Sequence, residues 1–285
     1  MKKILRLIYK VKEKSGKKSI YVLGVKIFSI KEKISKKEEN ELYKIQNNFP
    51  KIMSFDEMLK KIKKGASLAR YGDAEFDIAM NKNKNDPYQK PNKLLSEKLF
   101  YILKRQSSNK LLIAIPPFNA EHNNIKNYYK NISFWQWYWL SRWRDISKFI
   151  TKPLYANSFF SRDSVFYELS LNELKSIWDK RKVVFVVPTN GRFFYDKRLF
   201  DNIEEKAEIN IPATSAFNEY DRIQSECLRY SKDYMFFICA GPTATILASD
   251  LSDKGYQALD MGHFPNCYLE YLGELKKPEM YPLVK

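Results

Sequence analysis

A chain of 285 residues with 44% apolar and 15% aromatic residues, 9 Gly and 12 Pro is neither disordered nor collagen-like, and its 50 Lys and Arg against 33 Asp and Glu give a formal charge of +17. That length suits one α/β domain with an extension better than two complete domains. Three cysteines, Cys227, Cys239 and Cys267, make no C-x-x-C pair and meet no histidine cluster, which argues against a disulfide framework or structural zinc and for a reducing compartment.

The charge is unevenly spread. Residues 1–40 hold thirteen Lys and Arg against four Glu, so about half of the excess sits in this short leader. Basic surfaces attract nucleic acid, acidic lipid or phosphorylated substrates. Nucleic acid would ask for a basic stripe through the main body, and the remaining residues are only modestly basic. Ile4, Leu7, Ile8 and Val11 recur at helical spacing among Arg6, Lys10, Lys12 and Lys14, which predicts a basic amphipathic helix over Lys3 to Lys14. The runs from Ser19 to Ile30, split at Gly24, predict a small hairpin or a bent strand, and Lys31 to Asn40 reads as a linker into a helix. The expected organisation is a leader over 1–40 and a main domain over 41–285. No run reaches the roughly 18 uncharged apolar residues of a spanning helix. Met1 to Val11 lacks the uninterrupted apolar core and cleavage site of a signal peptide. A cytoplasmic protein is expected, or one held peripherally at the inner face of the membrane through residues 1–18.

Ser54-Phe-Asp-Glu57 forms a capping box ahead of Met58, Leu59 and Ile62, and Gly65 closes that helix. Strands are predicted over Ala66 to Tyr71, Leu111 to Ile115, Val183 to Val187, Tyr234 to Ala240 and Tyr256 to Asp260. Helices are predicted over Lys93 to Lys104, Leu169 to Lys180, Ala216 to Tyr230 and Ala244 to Lys254. Alternation of this kind implies an α/β fold, a mainly parallel Rossmann-like sheet with helices on both faces. Residues 134 to 143 contain four of the five tryptophans. They read either as an aromatic core helix or as a platform for sugars or a membrane interface.

Several strand ends carry chemistry. Arg70-Tyr-Gly72-Asp73-Ala-Glu75 closes the first confident strand, where such sheets bind ligands. In an extended turn Asp73 and Glu75 face one side and suit Mg²⁺ or Mn²⁺ shared with a diphosphate. The alternative is a helix start, with Asp73 as cap and Glu75 in the first turn. Gly241-Pro-Thr243-Ala-Thr245 opens a helix after a strand, and its free amides and hydroxyls suit phosphate, or simply a well-capped helix. The dinucleotide and P-loop glycine patterns are absent. Asp260-Met-Gly-His263 ends the last strand and offers a base, a phosphate donor or a structural hydrogen bond. His122 is the second of the two histidines. Arg162 and Arg192 follow strand-like runs and could close on a diphosphate or form surface ion pairs.

Together these segments resemble the GT-D type bacterial glycosyltransferases. The resemblance is carried by Arg70 to Glu75, Leu199-Phe-Asp-Asn202, Pro212 to Asp221, Gly241 to Ala244 and Gly255 to His263, in order, over about residues 50 to 272. It implies transfer of a hexose from a nucleotide sugar, most often a UDP-sugar, to a surface glycan, lipid-linked or glycoprotein acceptor. It further implies a metal on Asp73 and Glu75, and no specific nucleic acid as partner. The donor would then meet Arg70, Gly72, Asp73, Glu75, Arg162, Arg192, Gly241, Thr243 and Thr245, leaving Asp260 or His263 as catalytic base. Ala74 stands where the family has glycine, and Phe264 to Leu269 departs from its acidic pattern after Gly-His, so the acceptor side transfers least. The competing readings are a nucleic-acid-binding protein and a noncatalytic membrane-associated protein.

Overall fold

In the computed structural model, which describes residues 9–14, 17–22, 25–31, 34–82, 89–118 and 132–282, the chain divides into two units. One is Met1–Phe49 with Phe118–Ser147, the other Pro50–Pro117 with Lys148–Lys285. In chain order the first half holds β1 (Tyr9–Lys14), β2 (Lys17–Val22), β3 (Val25–Lys31), α1 (Lys36–Asn47), β4 (Lys51–Ile52), α2 (Phe55–Lys63), β5 (Ser67–Arg70), α3 (Asp73–Ala79), α4 (Lys93–Leu103), β6 (Leu111–Ile115) and α5 (Ile132–Ile146). Then follow β7 (Leu154–Asn157), α6 (Val165–Glu168), α7 (Leu171–Lys175), β8 (Lys182–Pro188), α8 (Lys197–Phe200), β9 (Glu205–Ile211), α9 (Tyr220–Cys227), β10 (Tyr234–Ile238), α10 (Pro242–Asp253), β11 (Gln257–Asp260) and α11 (Phe264–Tyr271).

In the first unit β1, β2 and β3 form an antiparallel meander. The helix expected over Lys3 to Lys14 is therefore a strand over Tyr9–Lys14, while residues 3–8 lie outside the described residues. Tyr9-Lys-Val-Lys12 alternates apolar and charged residues, a period of two that overlaps the helical one, and pairing Tyr9 with Val22 and Val11 with Ile20 decides between them. Ser35 caps α1 through a capping box with Glu38, and α1 buries Leu42 and Ile45. The aromatic segment is the helix α5, with Trp139 fully buried and Trp135 and Tyr138 nearly so. Phe49 packs on Trp139 and Trp143 at 5.2 and 5.3 Å between ring centroids, which makes α5 the core of this unit.

The second unit is built on one eight-stranded parallel sheet of order β4-β7-β6-β5-β11-β10-β8-β9. Its central strands β5, β6 and β11 are buried along their whole length, as a sheet covered by helices requires, and β6 is apolar throughout. Beneath them Phe237 packs against Phe185, Phe200 and Trp178 in a continuous aromatic and aliphatic core. The helix expected over Leu169 to Lys180 stops at Lys175. There Asn202 donates to the Lys175 carbonyl and the Trp178 indole donates to Leu199, so tertiary bonds replace the next helical turn. Because all eight strands run the same way, the loops after β5, β10 and β11, at the middle of the sheet, open on one edge.

Candidate active site

At the end of β5 the chain turns at Tyr71 and Gly72 and enters α3 at Asp73. Glu75, third in that helix, turns back, and its Oε2 accepts the Gly72 amide at 2.7 Å. A Cβ on Gly72 would stand 3.0 Å from that oxygen, so glycine permits the close return. Asp73 is exposed whereas Glu75 is buried, because the first and third positions of a helix point to different sides. The expectation that both carboxylates face one way is thus corrected. Burial pushes the Glu75 carboxyl up, against the pull of Arg70 and the Gly72 amide.

Asp260, the last residue of β11, is also buried, with Oδ1 3.6 Å from Arg70 Nε. Neither of these two atoms has a hydrogen bond. Thr245, in the second turn of α10, lies fully buried between them: its hydroxyl is 2.7 Å from the Arg70 carbonyl oxygen and 3.1 Å from Asp260 Oδ2. With Asp260 ionised, Thr245 shares its one proton between the two acceptors; with Asp260 protonated, Oδ2 can donate to Thr245 while Thr245 donates to the Arg70 carbonyl. Burial, aided by Glu75 and opposed by Arg70 and the Thr245 bond, pushes the Asp260 carboxyl up to about 7. Gly262, at φ +52°, lies against the guanidinium; a Cβ there would stand 2.9 Å from Arg70 Nη2.

His263 caps α11. Burial and then the charge of Arg162, with smaller contributions from Arg70 and Arg192, push its imidazole down to about 4 against the opposing Glu279, so it is neutral near pH 7. Three guanidinium groups therefore act on one neutral imidazole. Arg162 follows the 3-10 turn Ser158–Ser161 after β7 and bonds the Cys267 thiol of α11; Asp73 lies within its electrostatic reach. Arg192 donates from Nε to the Tyr281 carbonyl at 3.0 Å, and Asn266 donates to the Arg192 carbonyl at 3.1 Å. The structure thus brings together Arg70, Gly72, Asp73, Glu75, Arg162, Arg192, Thr245, Asp260 and His263. Gly241, at φ +54°, and Thr243 open α10 from the adjacent strand, and the Thr243 hydroxyl is fully buried with no partner. His122 falls outside the described residues.

Sequence reasoning misses Glu279, which reaches this cluster only through tertiary folding, and the packing role of Gly262, for which a glycine just past a strand end is the one available signal. Among the described residues no three His, Cys, Asp or Glu side chains converge to hold a metal alone. Asp73 alone turns its carboxylate outward, so a divalent cation there would take its remaining ligands from substrate phosphates.

A family model described as the glycosyltransferase GT-D fold matches residues 68–280. The probable glycosyl transferase Gly of Streptococcus gordonii is 26% identical over 225 residues, 76% of this chain and 32% of its own length. The glycosyltransferase GlyD of Streptococcus pneumoniae serotype 4 is 27% identical, again over 76% of this chain and over 27% of its length. The chain therefore spans about a third or less of these relatives. A solved structure of the domain of unknown function 1792, described as having a distinct glycosyltransferase fold, superposes with a TM-score of 0.75 at 28% identity, covering 84% of this chain and 87% of that one. A glycosyltransferase from Streptococcus sanguinis shares the fold, with a TM-score of 0.67 at 23% identity over 79% of this chain and 86% of its own.

Proposed function

The chain belongs to the glycosyltransferases of the GT-D fold, and on that premise we propose that it transfers a hexose from a nucleotide sugar, a UDP-sugar first, to a surface glycan, lipid-linked or glycoprotein acceptor. The observation that carries this reading is the gathering of Arg70, Arg162 and Arg192 around a neutral His263 at the carboxyl edge of the sheet. Guanidinium groups held in a sheltered site match the charge of a diphosphate and stabilise the extra charge it gains on leaving.

In this reading Arg70, Arg162 and Arg192 hold the diphosphate, with Gly72, Gly241 and Thr243 admitting the donor at the heads of α3 and α10. Asp73 offers its exposed carboxylate to Mn²⁺ or Mg²⁺, while Glu75, buried and accepting the Gly72 amide, holds the turn that carries it. A divalent cation so held supplies charge to the leaving diphosphate. His263, uncharged near neutral pH, can accept a hydrogen bond from the acceptor hydroxyl and orient it, but an imidazole held down to about 4 is a weak proton acceptor; Asp260, deeper and tied to Thr245, has the carboxyl whose pKa lies nearer the working pH. No helix of the described residues is long and apolar enough to cross a membrane. Contact with an anionic membrane at the inner face of the cell is assigned to the basic residues 1–18.

The test is donor turnover. A panel of nucleotide sugars is incubated with the protein, with and without divalent metal, and free nucleotide is measured. Release from a UDP-hexose, lost when Arg162 and Arg192 are both replaced by alanine, is the expected result; no release from any donor in either condition contradicts the reading.

A further inference from the structure

We propose that Thr245 is a positioning residue whose hydroxyl, together with the bare backbone of Gly262, fixes the Arg70 guanidinium and the Asp260 carboxyl in one arrangement. The inference rests on the donor-binding reading of Arg70 and takes Thr245 out of the set of donor contacts.

Thr245 is fully buried and, unlike the Thr243 hydroxyl, which has no partner, its hydroxyl is already engaged within the fold. That hydroxyl closes a ring. From α10 it reaches the carbonyl of Arg70, the last residue of β5, at 2.7 Å, and Asp260 Oδ2, at the end of β11, at 3.1 Å. The second oxygen of the same carboxyl faces Arg70 Nε at 3.6 Å. Backbone and side chain of Arg70 are thereby tied to one carboxyl through one hydroxyl. Holding Asp260 by Oδ2 sets the plane of the carboxyl and hence where Oδ1 stands.

The far side of the guanidinium is fixed by contact. Gly262 leaves no room for a Cβ beside Nη2, and a Cβ on Gly72 would come 3.8 Å from Nη1. An arginine with the Gly262 backbone close on Nη2 and a carboxyl facing Nε has little rotamer freedom left. Fixed charges that need no rearrangement as a leaving group develops its charge are worth more to the rate than equally strong mobile ones. Valine matches threonine in shape but lacks the hydroxyl, and would leave the Arg70 carbonyl and Asp260 without that partner.

The experiment compares T245S, T245V, D260N and the T245V/D260N pair with the wild type, reading kcat and donor KM for UDP-hexose turnover beside thermal melting. T245V is expected to lose at least tenfold in kcat with donor KM within threefold, and T245S to stay within threefold in both. In the D260N background, T245V should cost less than a further twofold, because Thr245 acts through that carboxyl. Unchanged kcat in T245V overturns the proposal. So does a serine variant as impaired as the valine one, which would mark a packing role, or losses that multiply in the double variant. If T245V fails to fold, T245A against T245S makes the same comparison. Wild-type protein that turns over no donor overturns the donor reading and this inference with it, whereas an active wild type with an unaffected T245V defeats the inference alone.

Discussion

Asp260, buried at the end of β11, and half-buried His263, three residues on, respond to pH in opposite senses. The Asp260 carboxyl is raised to about 7 in the fold, so the stability it lends is complete below its unfolded value of about 4 and is lost as pH rises through 7. His263 is lowered to about 4 from 6.5, so its contribution is present above about 6.5 and is lost as pH falls through 4. Across the window from pH 4 to 6.5 the two slopes oppose, each worth at most about 3 to 4 kcal/mol. Wild-type stability should therefore change little there. Asp260→Asn should become more stable as pH rises over that window and His263→Ala less stable, as read by thermal unfolding; parallel curves for the two variants would contradict the placement of these groups. Asp73, by contrast, is exposed, and Asp73→Asn should abolish transfer without lowering the melting temperature. Wild-type activity of that variant in EDTA-treated buffer would remove the metal role. The sequence makes the Arg70 to Glu75 turn visible as a charged segment at a strand end. It does not reveal that Glu75 turns inward, because that depends on where the helix begins: an extended turn and a first helical turn point the second carboxylate to different sides.

Elements were legible in proportion to their burial. β6 is five apolar residues in a row, and its ends coincide with those expected from the sequence. β9 was not visible, since Glu205-Lys-Ala-Glu-Ile-Asn-Ile211 is an edge strand with its charges in solvent, as edges that avoid pairing with other chains are. β4, two residues long, carries too short a pattern to be read. The strand in place of a helix at Tyr9–Lys14 belongs here too, because a short lysine-rich segment satisfies both periods and only the pairing partner chooses. The same logic says where the sheet is vulnerable. Phe237, fully buried among Phe185, Phe200 and Trp178, should cost about 3–5 kcal/mol on replacement by alanine. Denaturant unfolding measures this, and a loss below about 1 kcal/mol would mean that the ring is not the central strut that its contacts imply.

For the whole molecule, the N-terminal excess of positive charge and the arginine cluster at the sheet edge make separate predictions. Deleting residues 1–18 would remove β1 and part of β2, so membrane attachment is better tested by changing Lys10, Lys12, Lys14 and Lys17 to glutamine. At about 1 kcal/mol per lysine near an anionic surface, that variant should lose more than tenfold in binding to anionic vesicles while hydrolysing soluble donor normally. Equal co-sedimentation of the two proteins would refute the attachment. The central claim, that the arginine cluster holds a nucleotide-sugar diphosphate, is tested most directly by thermal stabilisation, because a ligand present at a hundredfold its Kd adds about 2.7 kcal/mol to stability whether or not turnover is seen. With UDP-hexoses and Mn²⁺, the wild type should melt at a clearly higher temperature, and the R162A/R192A variant should not respond. Equal stabilisation of both proteins, or of neither by any nucleotide sugar, would contradict the account.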